Sequence, residues 1–113
     1  LDYFKQKKHC IVWNVVEGVN NPMPITSNYL YVRLIGDRSI PDNQFGKIRK
    51  NKTEIIKNWA QKLAKISDIP LALVMANNHF EGFGPATANT LGRNLGMKEL
   101  IWEEKKQKTL GNF

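Results

Sequence analysis

The run Leu71-Ala72-Leu73-Val74-Met75-Ala76 carries no polar side chain and is bounded by Pro70 and by the pair Asn77-Asn78. A run this short, closed by turn-formers on each side, reads as a strand and not as a helix. A strand with one wet face alternates apolar and polar residues, and this one does not. Such runs occur where a parallel sheet is covered by helices on both faces. The expectation is an α/β architecture with this strand buried on both sides.

The rest of the chain fits that frame. His9 to Val16 (HCIVWNVV) is a β-branched apolar run that reads as a first buried strand, and Tyr29 to Ile35 (YLYVRLI) as a second, ended by Gly36. Between them, Pro22, Pro24 and Gly18 leave no room for a helix. Residues 37–50 hold Pro41 and Gly46 and read as an irregular connection. Ile55, Ile56, Trp59, Ala60, Leu63 and Ile66 then recur at helical spacing, with lysines on the other face. Asn51 followed by Glu54 resembles a capping box at its start. Asn77 to Gly84 reads as a polar loop. Pro85 opens a second helix carrying Leu91 and Leu95, with Gly96 at its end. Residues 97–108 are expected to add an amphipathic turn or two anchored by Leu100, Ile101 and Trp102.

Strand–helix alternation of this kind implies parallel strands joined by right-handed crossovers. Ligands of such folds bind at the carboxyl ends of the strands. Three segments begin there: residues 14–17, residues 36–39, and residues 77–85. The third is the richest. Asn77 and Asn78 place amides directly off a strand, His79 and Glu81 form a candidate acid–base pair, and Gly82 and Gly84 permit close backbone approach. The free N–H groups of the Pro85 helix offer an anion site, although the spacing matches no Walker or dinucleotide motif.

Arg33 stands in an otherwise apolar strand, where an unpaired buried charge is costly. It calls for a partner carboxylate, a ligand or a water-filled mouth, unless it lies where it can reach solvent. Asp37 and Arg38 are placed to pair with each other or with a substrate. Trp13, Trp59 and Trp102 read as packing anchors.

The chain has 17 Lys plus Arg against 10 Asp plus Glu, a formal charge of +7 that favours anionic partners. Nucleic acid is one such partner, but the lysines are dispersed and no nucleic-acid-binding motif accompanies them. The lone Cys10 makes no internal disulfide, and with no signal-like segment the expected location is the cytoplasm. No apolar run is long enough to span a bilayer, and no close His/Cys cluster predicts a metal.

Two motifs carry a resemblance. Tyr31-Val32-Arg33-Leu34-Ile35-Gly36-Asp37-Arg38 and, after Trp59-Ala60, Ala76-Asn77-Asn78-His79-Phe80-Glu81-Gly82-Phe83-Gly84-Pro85-Ala86 resemble the C-terminal half of the YecE-like proteins. These form family 72 of the domains of unknown function. Many members carry His where Ile35 stands here. The resemblance implies a TIM (β/α)8 barrel, of which this chain would supply the carboxyl-terminal portion. Such barrels need roughly 250 residues, and the chain has 113.

The resulting expectation is a partial α/β barrel domain over residues 1–113 with no internal boundary, about three parallel strands with helices, and a helical extension or tail over 97–113. It is incomplete on its own, and the absence of Met at Leu1 fits a cut or split chain. Its open edges call for self-association or for the missing N-terminal half of the barrel. The expected site takes a small phosphate- or carboxylate-bearing ligand through Arg33, Arg38, Asn77, Asn78, Gly82 and Gly84. His79, Glu81 and Asp37 are the catalytic candidates, without a cofactor or metal. The alternatives are nucleic-acid binding or a purely structural role in assembly, and the sequence does not decide whether the chain is an enzyme.

Overall fold

In a computed structural model, which describes residues 1–17 and 23–101, Tyr29–Leu34 is the centre of the fold. Its residues alternate strictly: Leu30, Val32 and Leu34 are buried, while Tyr29 and Arg33 are exposed. This strand (β2) lies between Trp13–Val15 (β1) and Leu71–Ala76 (β3), all parallel. The full element order is a helix Asp2–Gln6 (α1), β1, β2, a 3₁₀ turn Asp42–Gln44, a helix Thr53–Ala64 (α2), β3, a short helix Asn78–Glu81 (α3) and a helix Gly84–Asn94 (α4).

The core forms on one face of this sheet. Trp13, Leu30, Val32 and Leu34 meet Ile56 and Ala60 of α2, Phe80 of α3 and Leu91 of α4. Leu34, Val32 and Ile56 are essentially inaccessible, each stabilising the fold by roughly 1.5–3 kcal/mol through burial. The helical stripe runs slightly differently from its sequence pattern, since Ile55 is exposed. Trp13 also donates its indole N–H to the Pro24 carbonyl at 2.9 Å and lies 6.2 Å from the Trp59 ring.

Four expectations are corrected. β3 is not buried on both faces: Leu71, Leu73 and Met75 are 51%, 44% and 56% exposed, because the described helices cover only the opposite side. β1 is shorter than His9–Val16. The backbone before it is held by the buried Thr26 hydroxyl, which accepts from the Ile11 N–H at 3.1 Å and donates to the His9 carbonyl at 2.6 Å. The polar stretch after β3 contains α3 and is not all loop. Residues 97–101 form no helix, and Leu100 and Ile101 are exposed. Instead, both polar groups of the Asn89 side chain clamp the Leu100 backbone. Trp102 and the remainder of the expected extension lie outside the described residues.

Among the described residues no helix is long and apolar enough to cross a membrane.

Candidate functional site

The carboxyl ends of the three strands are shaped first by Gly36. It adopts φ +81°, and a side chain there would strike the His79 carbonyl and come within 2.8 Å of Phe80 Cα. Only glycine permits this approach of the β2 exit to the β3 exit. Asp37 follows, pairing with Lys50 at 3.0 Å and accepting the Ser39 N–H at 3.0 Å. Hydrogen bonds from Ser39, and then the Lys50 ammonium, hold its carboxyl well below the usual carboxylate range. Asp37 therefore pairs with Lys50 and not with Arg38, and an acid so strong is a poor proton carrier near neutral pH. Arg38 is left exposed, in the left-handed conformation at φ +63°, with no ion pair among the described residues.

Beyond β3 the two asparagines do complementary work. Asn77 continues the ladder by donating its backbone N–H to the Leu34 carbonyl at 2.9 Å. Its side-chain Oδ1 accepts the His79 N–H at 2.9 Å and caps α3, and Asn78 Oδ1 accepts the Gly84 N–H at 2.7 Å at the start of α4. A backbone N–H only donates, so each amide must turn its oxygen inward and present its NH2 group outward. Neither NH2 group donates to any group among the described residues. Both residues line an open cavity of about 520 Å³ beside the free edge of β3, together with Met75, Ala76, Gly84 and Pro85.

Glu81 does not face this cavity. It is 3% exposed, and its carboxylate accepts the Lys52 backbone N–H at 3.0 Å and the Thr87 hydroxyl at 2.7 Å. Its backbone carbonyl accepts the N–H groups of Arg49 and Lys50. No hydrogen bond joins it to His79, so the structure does not assemble the expected acid–base pair. The His79 Nε2 lies 3.9 Å from Asp42, its ring meets Phe45 edge-on at 4.9 Å, and its Nδ1 is buried without a hydrogen-bond partner among the described residues. Gly82 and Gly84 both approach protein backbone closely, although Gly84 also lines the cavity. A side chain at Gly82 (φ +122°) would strike the Lys47 carbonyl, and one at Gly84 would lie 2.7 Å from the Ala76 carbonyl.

Arg33 is on the central strand yet exposed, because it points to the face that no described helix covers. No carboxylate among the described residues partners it. Its register neighbours are Asn14 on β1 and Met75 on β3, and alternation brings Asn77 to the same face. Asn14 Oδ1 is buried and has no hydrogen-bond partner among the described residues. The donors Arg33 and Asn77 thus share a face with one orphaned acceptor.

Lys52 escaped sequence reading as a site-shaping residue. It is 8% exposed, with its ammonium 4.4 Å from the Phe80 ring and 3.5 Å from Glu17. Its position was the available signal: it is the N-cap of α2, where a cation opposes the helix dipole and needs another reason to be present. The expected Asn51 cap is displaced by one residue, with Asn51 Oδ1 accepting the Thr53 N–H at 3.0 Å. Among the described residues no three His, Cys, Asp or Glu side chains come together to hold a metal ion.

Comparison with known families matches the profile described as "Protein of unknown function DUF72" over residues 2–110. No curated protein and no solved structure matches the chain.

Proposed function

This chain belongs to the DUF72 family of proteins of unknown function, and from that premise we propose that it binds a small oxyanion-bearing ligand at the strands' carboxyl ends. The ligand is a phosphate or carboxylate. The observation that carries the reading is the orientation of the Asn77 and Asn78 amides. Both oxygens are consumed by backbone N–H groups, so both outward groups are donors at the lip of one cavity. Arg33 adds a guanidinium that pairs with no carboxylate among the described residues, and Arg38 a second from the β2 exit. The Asp37 carboxylate at the β2 exit is taken by Lys50, and the donors and cations that remain favour a ligand rich in acceptor oxygens. Of the catalytic candidates, this reading retains His79, whose Nδ1 has no partner.

The sheet also supports a wider proposal, that the three strands are the carboxyl-terminal portion of a (β/α)8 barrel. Strand order follows chain order, the described helices cover one face, and Tyr29, Leu71, Leu73 and Met75 leave the other apolar and open. A second copy or further barrel strands would cover that face.

The binding proposal is tested by titrating the ¹⁵N-labelled chain with inorganic phosphate and with acetate, followed by NMR. The expected result is saturable shifts of the Asn77 and Asn78 side-chain amides. Weak, non-saturating shifts spread over the surface lysines would overturn it.

A further inference from the structure

The donors at the strand ends have one neighbour of opposite character. Asn14 sits in β1 between Trp13 and Val15, which face the core, so its side chain lies on the open face of the sheet. There it is the direct register partner of Arg33, about 4.8 Å away across the ladder. Its Oδ1 is buried and accepts no hydrogen bond among the described residues, not even from that guanidinium. A buried acceptor without a donor costs about 1–3 kcal/mol, so proteins rarely keep one that nothing fills.

Every other outward group on this face that the oxyanion reading uses is a donor: the Arg33 guanidinium and the amide NH2 of Asn77. A carboxylate or a fully ionised phosphate monoester satisfies those donors but brings no donor for Asn14 Oδ1. We infer that the ligand is a hydroxylated anion, a short polyol phosphate or hydroxy acid. Its hydroxyl donates to Asn14 Oδ1 while its anionic group takes Arg33 and the Asn77 amide. This assignment rests on the oxyanion site proposed above and names the class of compound that fills it.

Matched pairs test it on the full chain: glycerol 3-phosphate against propyl phosphate, and glycerate against propionate, each by calorimetric titration. The expected result is that at least one hydroxylated member binds tenfold or more tightly than its deoxy partner. Asn14→Ala should abolish that difference while leaving the deoxy compound's affinity unchanged. The pair that discriminates identifies the anionic group. Equal affinity within both pairs overturns the hydroxyl assignment and leaves the oxyanion site standing. Failure of all four probes to bind overturns both. If Asn14→Ala does not fold, the wild-type chain still decides through the Asn14 side-chain amide resonance, which must shift more with the hydroxylated member. Identical shifts within each pair overturn the assignment.

Discussion

The Glu81 carboxylate accepts the backbone N–H of Lys52 at 3.0 Å, so a residue from the β3 exit closes the start of α2, 29 positions earlier in the chain. With its second oxygen on Thr87 at 2.7 Å, Glu81 ties three helices together from a position 3% exposed. Glu81→Ala leaves a buried N–H and a buried hydroxyl without their acceptor. It should cost about 2–4 kcal/mol, read as a lower urea midpoint. Glu81→Gln keeps one acceptor oxygen and should cost less. A stability unchanged in Glu81→Ala would show that Glu81 is free for another role.

Gly36→Ala tests the contact between the β2 and β3 exits. The new methyl meets the His79 carbonyl at a backbone φ of +81°. The combined strain and clash should cost about 2–4 kcal/mol, lowering the thermal midpoint by circular dichroism. A midpoint equal to wild type would mean the two exits are not in contact.

Asp37 gives a pH signature. Folding lowers its carboxyl through Ser39 and Lys50. The contribution is therefore present above the ordinary carboxylate range, roughly pH 4, and is lost as pH falls through the lower folded value. A ¹³C titration of the Asp37 carboxyl should show a midpoint clearly below that range, moved upward by Ser39→Ala or Lys50→Ala. A midpoint at the ordinary value in the wild-type chain would contradict the pairing.

How far the sequence could be read follows from the range of each interaction. β2, β3, α2 and the Pro85 start of α4 were readable because their signals are local: alternation, apolar runs, helical spacing and a proline at the first turn. β1 was overestimated because Thr26, 15 residues from Ile11, takes the backbone groups that a strand would use. α3 is four residues long, too short for a periodic pattern. The geometry of the candidate site was legible only in part. Asn77 and Asn78 were visible as polar residues directly off a strand, but which end of each amide faces outward depends on the N–H groups of His79 and Gly84. Glu81 looked like a partner for His79 because the two are near in sequence. Its true partners, Lys52 and Thr87, are set by packing.

The two-sided apolarity of β3 also has a consequence in solution. Leu73 and Met75 are 44% and 56% exposed on a face with no described cover, beside a strand edge that carries no charge to block pairing. The chain should self-associate at micromolar concentration, and Leu73→Lys should weaken that association by sedimentation velocity. A wild-type chain that stays monomeric across this range would show that the face needs no partner.

The oxyanion site is tested most directly by Asn77→Asp combined with Asn78→Asp. Each aspartate keeps an oxygen for the backbone N–H that its asparagine oxygen now accepts, so capping is retained. Each also replaces an outward donor with an anionic acceptor. The double variant should fold with a thermal midpoint close to wild type and lose at least tenfold in affinity for inorganic phosphate by calorimetric titration. Phosphate affinity equal to wild type in the folded variant would contradict the account.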